Sequence, residues 1–292
     1  MASLSSLRRR LFQNALDLDR PLTSLARWPG WLLSCATSRP RLVTFETGGL
    51  TMRLVPKLMR FGTTSIYIKR ERYEPELLWM KSLLQPGDTV LDIGASFGVY
   101  TLFLAHFVGP KGRVHAFEPG GFSFGQLAQN VALNPSLRHI KTYNVGAGPA
   151  ATTLRLHHIA GSPVNFSVGG TGSATDGSEA IEIRRVDDIV PEEQHKDVRF
   201  IKIDVEGFEK PALEGAANIL RQGRPAILFE VSTSALARSN MVPGDVYGFL
   251  RGLGYAFHEF DNGRLKRCDG EPDGNIIAIH PEGRRPETLG QA

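Results

Sequence analysis

Five residues are spaced as a nucleoside-binding site requires. Asp92, Gly94, Ser96 and Gly98 form D-x-G-x-S-x-G within VLDIGASFGVY, an apolar run that ends in an acid, turns through glycine and restarts as an apolar helix. Glycine lets the backbone turn tightly and lets a ligand approach the main chain. Glu118 lies 24 residues beyond Gly94, at the end of the next apolar run. A carboxylate there can accept two hydrogen bonds from a ribose diol. A dinucleotide would need its pyrophosphate at a helix N-terminus, usually through G-x-G-x-x-G. Here the spacing is G-x-x-x-G, and Asp92 stands just before the turn. A carboxylate repels a pyrophosphate and favours the sulfonium and ammonium charges of S-adenosylmethionine. Asp92, Gly94, Ala95, Ser96, Gly98 and Glu118 are therefore the expected contacts of that cofactor, and a nicotinamide-dependent dehydrogenase is disfavoured.

A second group sits in RFIKIDVEG. Lys202 and Asp204 are two apart and share a strand face. Charges in a segment otherwise suited to burial have partners or roles. Methyl transfer is an in-line displacement in which acceptor oxygen, methyl carbon and sulfur must align, so holding geometry supplies much of the rate. An aliphatic hydroxyl is a poor nucleophile and needs a base or a metal. Asp204 is expected against the methionine end of the cofactor and the reacting centre, with Glu206 as the base and Lys202 beside them. The competing reading is a Lys202–Glu206 ion pair that supports the loop. Asp204 and Glu230 end consecutive strands and could share a divalent cation. No further oxygen ligands are visible, so no metal site is assigned.

These residues need strands and helices in alternation, and the pattern supplies them from about residue 87. Apolar runs at 89–93, 113–119, 139–145, 199–205 and 226–231 read as buried strands, joined by helices at 99–108, 122–133, 211–223 and 244–254. Strands at 255–260 and 275–280 close the set. Between 151 and 197 the rhythm breaks: TTLRLHH and AIEIRRV alternate as exposed strands do, with GGTGSATDGS as a loop and candidate acceptor lid. The expected fold is α/β, a doubly wound, mainly parallel seven-stranded Rossmann-like sheet with an inserted β-hairpin. Ligands then bind beyond the carboxyl ends of the strands, at the switch point.

The chain has 292 residues with 41% hydrophobic and 22% charged content, ordinary for a soluble globular protein. Cys35 and Cys268 have no partner spacing, which fits a reducing compartment and a cytoplasmic location. The net charge of +4 is uneven: residues 1–60 hold nine Arg and one Lys against Asp17, Asp19 and Glu46, a balance of +7. Such an arm can touch anionic lipid, nucleic acid or an acidic substrate, or serve as a solvated helix. The apolar run near Trp31 is short, is interrupted by Arg27 and Pro29, and is far below the roughly 20 residues a membrane span needs. The expected organisation is a basic extension over 1–60, a catalytic domain over 61–281 carrying the insert at 151–197, and a polar tail over 282–292.

The segments RYEPELL (72–78), LQPGDTVLDIGASFGVYT (84–101), GRVHAFEPGG (112–121), FIKIDVEGFEKPALEGAANIL (200–220) and PAILFEVS (225–232) occur in one order. Together they resemble the FkbM-type S-adenosylmethionine-dependent methyltransferases, and KIDVEGFE is the most specific block. The resemblance implies an O-methyltransferase acting on a hydroxyl of a sugar, glycolipid or polyketide-like small molecule, with Tyr73 and Glu74 folding over the cofactor. Ser96 stands where the family usually has Asn, and EPGG replaces the usual EP-x-P. Two alternatives belong to other classes. A nucleic-acid methyltransferase would use the same turn, but it commonly carries Asn/Asp-Pro-Pro-aromatic where this chain has Asp204-Val205-Glu206-Gly207, and those acids repel phosphate. A non-catalytic methyltransferase-like binding module would have lost the turn residues, all of which are present.

Overall fold

The computed structural model describes residues 20–58, 62–158, 166–168, 178–261 and 264–284. The chain divides between Leu78 and Trp79 into two compact units. In the N-terminal unit, helix α1 (Pro21–Thr37) precedes an antiparallel hairpin of β1 (Arg41–Thr44) and β2 (Thr51–Leu54), then α2 (Thr63–Lys69). Trp31 is fully buried and stacks on Tyr67 with ring centroids 4.8 Å apart, and its indole N–H donates to Thr64 Oγ1 at 2.9 Å. Tyr73 and Glu74 belong to this unit.

In the C-terminal unit every residue of β3 (Thr89–Ile93) is buried, which is why the segment reads as a continuous apolar run. After it come α3 (Val99–Val108), β4 (Arg113–Phe117), α4 (Gly121–Ala132) and β5 (Ile140–Tyr143), then β6 (Gly146–Ala147), β7 (Thr152–His158), β8 (Phe166–Val168) and β9 (Ser178–Arg184). The chain continues through β10 (Val198–Ile203), α5 (Glu209–Gly215), α6 (Ala217–Gly223), β11 (Ala226–Val231), α7 (Thr233–Arg238), α8 (Pro243–Gly252), β12 (Ala256–Asp261), β13 (Arg264–Arg267) and β14 (Gly274–Ile279). The main sheet runs β13-β12-β14-β11-β10-β3-β4-β5. Its five strands from β11 to β5 are parallel, while β14, β12 and β13 pair antiparallel. The doubly wound, mainly parallel fold is present.

Three details differ from the expectation. The sheet has eight strands, because Arg264–Arg267 returns along β12 and covers its edge. Its composition, Arg-Leu-Lys-Arg, is the charged solvent-facing pattern that blunts a sheet edge and hides a strand from hydrophobic scanning. The helix expected over 211–223 is two helices with Ala216 at φ −110° between them. The insert is more than a hairpin: β7, β8 and β9 join the short β6 in a separate four-stranded sheet, β6-β9-β7-β8. Residues 169–177 of the candidate lid, like 285–292 of the tail and 1–19 of the basic arm, lie outside the described residues.

The order β5-β4-β3 and β10-β11 reverses between β3 and β10, so a crevice opens where those two strands end. Behind it, Phe229, Tyr247 and Phe257 pack edge to face with centroids 4.7 to 6.3 Å apart. Buried aromatic groups of this size anchor the strand ends that carry the site. No helix among the described residues is long and apolar enough to cross a membrane.

Candidate active site

The turn after β3 is held by main-chain bonds. Gly94 N–H and Ala95 N–H both donate to Phe117 O at 2.9 Å, and Gly98 N–H closes the turn on Ala95 O at 2.8 Å. Gly94 has φ +80°, and a Cβ there would stand 1.8 Å from the Asp204 carbonyl oxygen. Gly98 has φ +90°, and its Cβ would stand 2.6 Å from Leu127 Cδ1. Gly94 is therefore required where the protein approaches its own main chain at the β10 end, whereas at Gly98 the left-handed φ favours glycine and the nearby Leu127 Cδ1 is the end of a flexible side chain. Ser96 is left-handed as well, at φ 48°.

Glu118 is the polar centre of the crevice. It is 4% exposed, Oε2 accepts Ser96 N–H at 2.8 Å, and Oε1 accepts Gly120 N–H at 2.9 Å. Each oxygen keeps a lone pair for a further donor. Burial pushes this carboxyl up to about 7, against the pull of the two N–H groups and with help from Asp92 and Asp204. The residues after Glu118 reach the insert. Gly121 N–H, the second glycine of EPGG, donates to Glu179 Oε2 at 3.1 Å.

Asp92 is fully buried behind the turn. Its Oδ2 accepts from Thr101 Oγ1 at 2.5 Å, and Oδ1 has no hydrogen-bond partner. Burial raises its pKa, opposed chiefly by Lys202, its register partner on β10. Lys202 Nζ lies 2.8 Å from Asp204 Oδ2 and 4.9 Å from the centre of the Tyr100 ring. The pairing is thus Lys202 with Asp204 and not with Glu206, whose carboxylate faces Arg238 at 3.5 Å. Asp204 N–H donates to Ile93 O at 3.0 Å and continues the β3–β10 ladder into the turn.

Glu206 is left-handed at φ 53° and is followed by Gly207 at φ +98°, so the chain reverses sharply. Burial and Asp204 raise the Glu206 pKa. Glu209 is nearly fully buried, accepts Gly207 N–H at 3.0 Å through Oε1, and leaves Oε2 without a partner. Burial pushes it to about 7. Glu230, at the end of β11, is exposed, so water screens it more than its neighbours. Desolvation first, then Asp204 and Glu206, still push it up to about 8. Among the described residues no group of three or more His, Cys, Asp or Glu is arranged to hold a metal ion.

One pocket gathers part of the expected set. Gly94, Ser96, Glu118, Asp204 and Glu206 line it. Asp92, Ala95, Gly98 and Lys202 stand outside its lining, and Ala95 packs into the cluster of Ala116 and Leu127. The opposite wall went unread in the sequence: Val145, Ala147, Leu156, Ile181, Ile183 and Phe208. The signal was the alternation of Leu154 and Leu156, and of Ile181 and Ile183, which turns one face of the inserted sheet inward. Glu209 was also missed, because a second acid in a helix start reads as an ordinary capping residue. A rim of carboxylates facing an apolar wall suits a planar base with a hydroxylated sugar, and a cation rather than a phosphate.

Three curated relatives resemble the chain. Methyltransferase sdnD of Sordaria araneosa is 25% identical over 43% of this chain and 59% of the relative. The 31-O-demethyl-FK506 methyltransferase FkbM of Streptomyces tacrolimicus is 29% identical over 59% of this chain and 74% of the relative. The hexuronic acid methyltransferase AglP of Haloferax volcanii is 27% identical over 46% and 52%. The chain thus spans little more than half of the length of the first and third. The methyltransferase FkbM domain matches residues 92–257, more than half of the chain and the stretch that holds every residue of the pocket, and the chain belongs to that family.

Proposed function

We propose that the chain is an S-adenosylmethionine-dependent O-methyltransferase whose acceptor is a hydroxyl of a sugar, glycolipid or polyketide-like small molecule. The observation that carries this reading is the pocket joining Glu118, held between Ser96 and Gly120, to the acids Asp204 and Glu206 and to the apolar wall of the insert. The donor set fits the cofactor: Glu118 keeps acceptor capacity for a ribose diol, and the surrounding charge is carboxylate, which suits a cation. Gly94, Ser96 and Glu118 would hold the nucleoside side and Asp204 the methionine side, with Asp92 acting from behind the wall through charge. When bound, S-adenosylmethionine supplies an electrophilic methyl group on a sulfonium.

The chain's own residues do the rest. Glu206 takes the proton from the acceptor hydroxyl, and its raised pKa brings it nearer the operating pH of a general base. Lys202 is locked by Asp204 and Tyr100, so it positions Asp204 instead of moving a proton. Relatives named for a hexuronic acid and for 31-O-demethyl-FK506 support a small-molecule acceptor. Asp204 and Glu206 in the pocket lining disfavour a nucleic-acid backbone.

Calorimetric titration of S-adenosylmethionine into the protein tests the reading. Binding is expected, with Glu118→Ala weaker by about 100-fold through loss of charge-assisted hydrogen bonds. Glu118→Gln keeps the shape of the turn and separates that loss from a distorted loop. Absence of binding by the intact, folded protein would sink the proposal.

A further inference from the structure

Six carboxyl groups gather around the ends of β3, β4, β10 and β11: Asp92, Glu118, Asp204, Glu206, Glu209 and Glu230. Asp204 is their hub, since its charge raises the pKa of each of the other five. Among the described residues, the cations that act on the group are Lys202, 2.8 Å from Asp204 Oδ2, and Arg238, 3.5 Å from Glu206. Six acids this close to two cations do not all ionise together, because repulsion makes some of them keep protons.

One of those protons can be located. The β10–β11 register pairs Ile203 with Phe229, so Asp204 and Glu230 leave adjacent parallel strands side by side. Their carboxyl groups are in hydrogen-bond contact. Two carboxylates are acceptors only, so a hydrogen bond between them needs a proton. Glu230 is the member suited to carry it. Lys202 already occupies Asp204 Oδ2 as an ion pair, whereas the residue opposite Glu230 on β14 is the uncharged Asn275. The charged groups facing Glu230 are Asp204, Glu206 and Lys202, while Arg238 of α7 acts on Glu206. Desolvation and the two acids outweigh Lys202 and push Glu230 up to about 8. Glu230 is also exposed, so its proton has a path to water.

We propose that Asp204 and Glu230 share one proton, that a cationic ligand entering the pocket drives it into solvent, and that Glu230 thereby makes the site prefer a sulfonium donor over its neutral thioether product. This inference rests on the cofactor reading above. S-adenosylhomocysteine has the same ribose diol, ammonium and carboxylate as S-adenosylmethionine and lacks only the methyl group and its charge. Any proton exchanged at Glu118 is therefore common to the two ligands and cancels when they are compared.

The test is calorimetric titration of both ligands into the full chain between pH 6 and 9, in buffers of different ionisation enthalpy, which counts the protons released. S-adenosylmethionine should release about one proton more than S-adenosylhomocysteine near pH 7 and no excess above about pH 9. Its preference over the product should rise with pH by up to about tenfold per unit and level off above about 8. Glu230→Gln keeps an N–H donor towards Asp204 but has no proton to release. It should equalise the two proton counts and hold the preference within about twofold across the range. Equal counts in wild type would overturn the proposal and leave the cofactor reading standing, as would an excess that survives in folded Glu230→Gln. Failure of S-adenosylmethionine to bind at any pH would sink the cofactor reading and this inference together.

Discussion

The turns that follow β3 and β10 meet at the switch point of the sheet, and they are built from different materials. The first, residues 94–98, carries no charge and is held by main-chain bonds to Phe117. The second, residues 204–208, carries Asp204 and Glu206 and is held by a carboxylate, Glu209, that accepts Gly207 N–H. Both rely on left-handed backbone, at Gly94, Ser96 and Gly98 in one and Glu206 and Gly207 in the other. They touch where Gly94 has no side chain, against the Asp204 carbonyl. Shape and charge are divided between them: the glycine turn sets how close the strand ends come, and the acidic turn places the charges in the gap.

The largest effect should come from destroying that contact. Gly94→Ala combines φ +80° with a Cβ 1.8 Å from a main-chain oxygen, so backbone must move. A loss of about 3 kcal/mol or more in chemical denaturation is expected, with loss of cofactor binding. A variant of wild-type stability would show that the two turns are not in contact in solution.

The acidic turn is expected to act on rate. Glu206→Gln should lower kcat by about 10² to 10⁴ with cofactor affinity little changed, as removal of a general base does. Asp204→Asn should weaken cofactor binding as well, because it leaves Lys202 without its carboxylate. The opposite split, measured by single-turnover kinetics and titration, would exchange the two roles.

A smaller effect concerns pH. Glu118 and Glu209 are raised from 4.5 to about 7 by burial. Groups shifted upward favour the folded state while protonated: their contribution is full below about 4.5 and is lost as pH rises through 7. The melting temperature of the cofactor-free chain should therefore fall between pH 5 and 8, and Glu209→Gln should flatten that slope. Affinity for a ribose diol, which needs the ionised Glu118 carboxylate as acceptor, runs the other way, falling by up to about tenfold per unit below pH 7.

The smallest effect is expected at Ser96. Its φ of 48° is one that asparagine tolerates better than serine, so Ser96→Asn should gain about 0.5 kcal/mol at most and leave cofactor affinity within a few-fold. A large loss would mean that the hydroxyl itself is needed.

Legibility in the sequence followed periodicity. The parallel strands are continuous apolar runs, and a run buried on both faces announces itself without knowledge of its neighbours. Strand Arg264–Arg267 has no such run, because an edge strand is stabilised by its partner and solvated by its side chains. The bend at Ala216 was invisible for a related reason: alanine favours helix, and the break comes from tertiary packing, which also brings Gly215 against the Gly148 carbonyl.

In the site the division is finer. D-x-G-x-S-x-G, the acid at 118 and KIDVEGFE are local patterns, so the strand-end turns and the identity of their acids could be read from residue order alone. Which acids share a pocket could not, since that depends on register. Lys202 lies opposite Asp92 because β10 runs parallel to β3 in one alignment, and a shift of one residue would turn it to the other face. The apolar wall of Leu156, Ile181 and Ile183 likewise exists only once the insert has folded into its own sheet beside Glu118. Sequence order carries contacts a few residues long; charge pairing and pocket walls come from strands far apart in the chain, and folding alone brings those together.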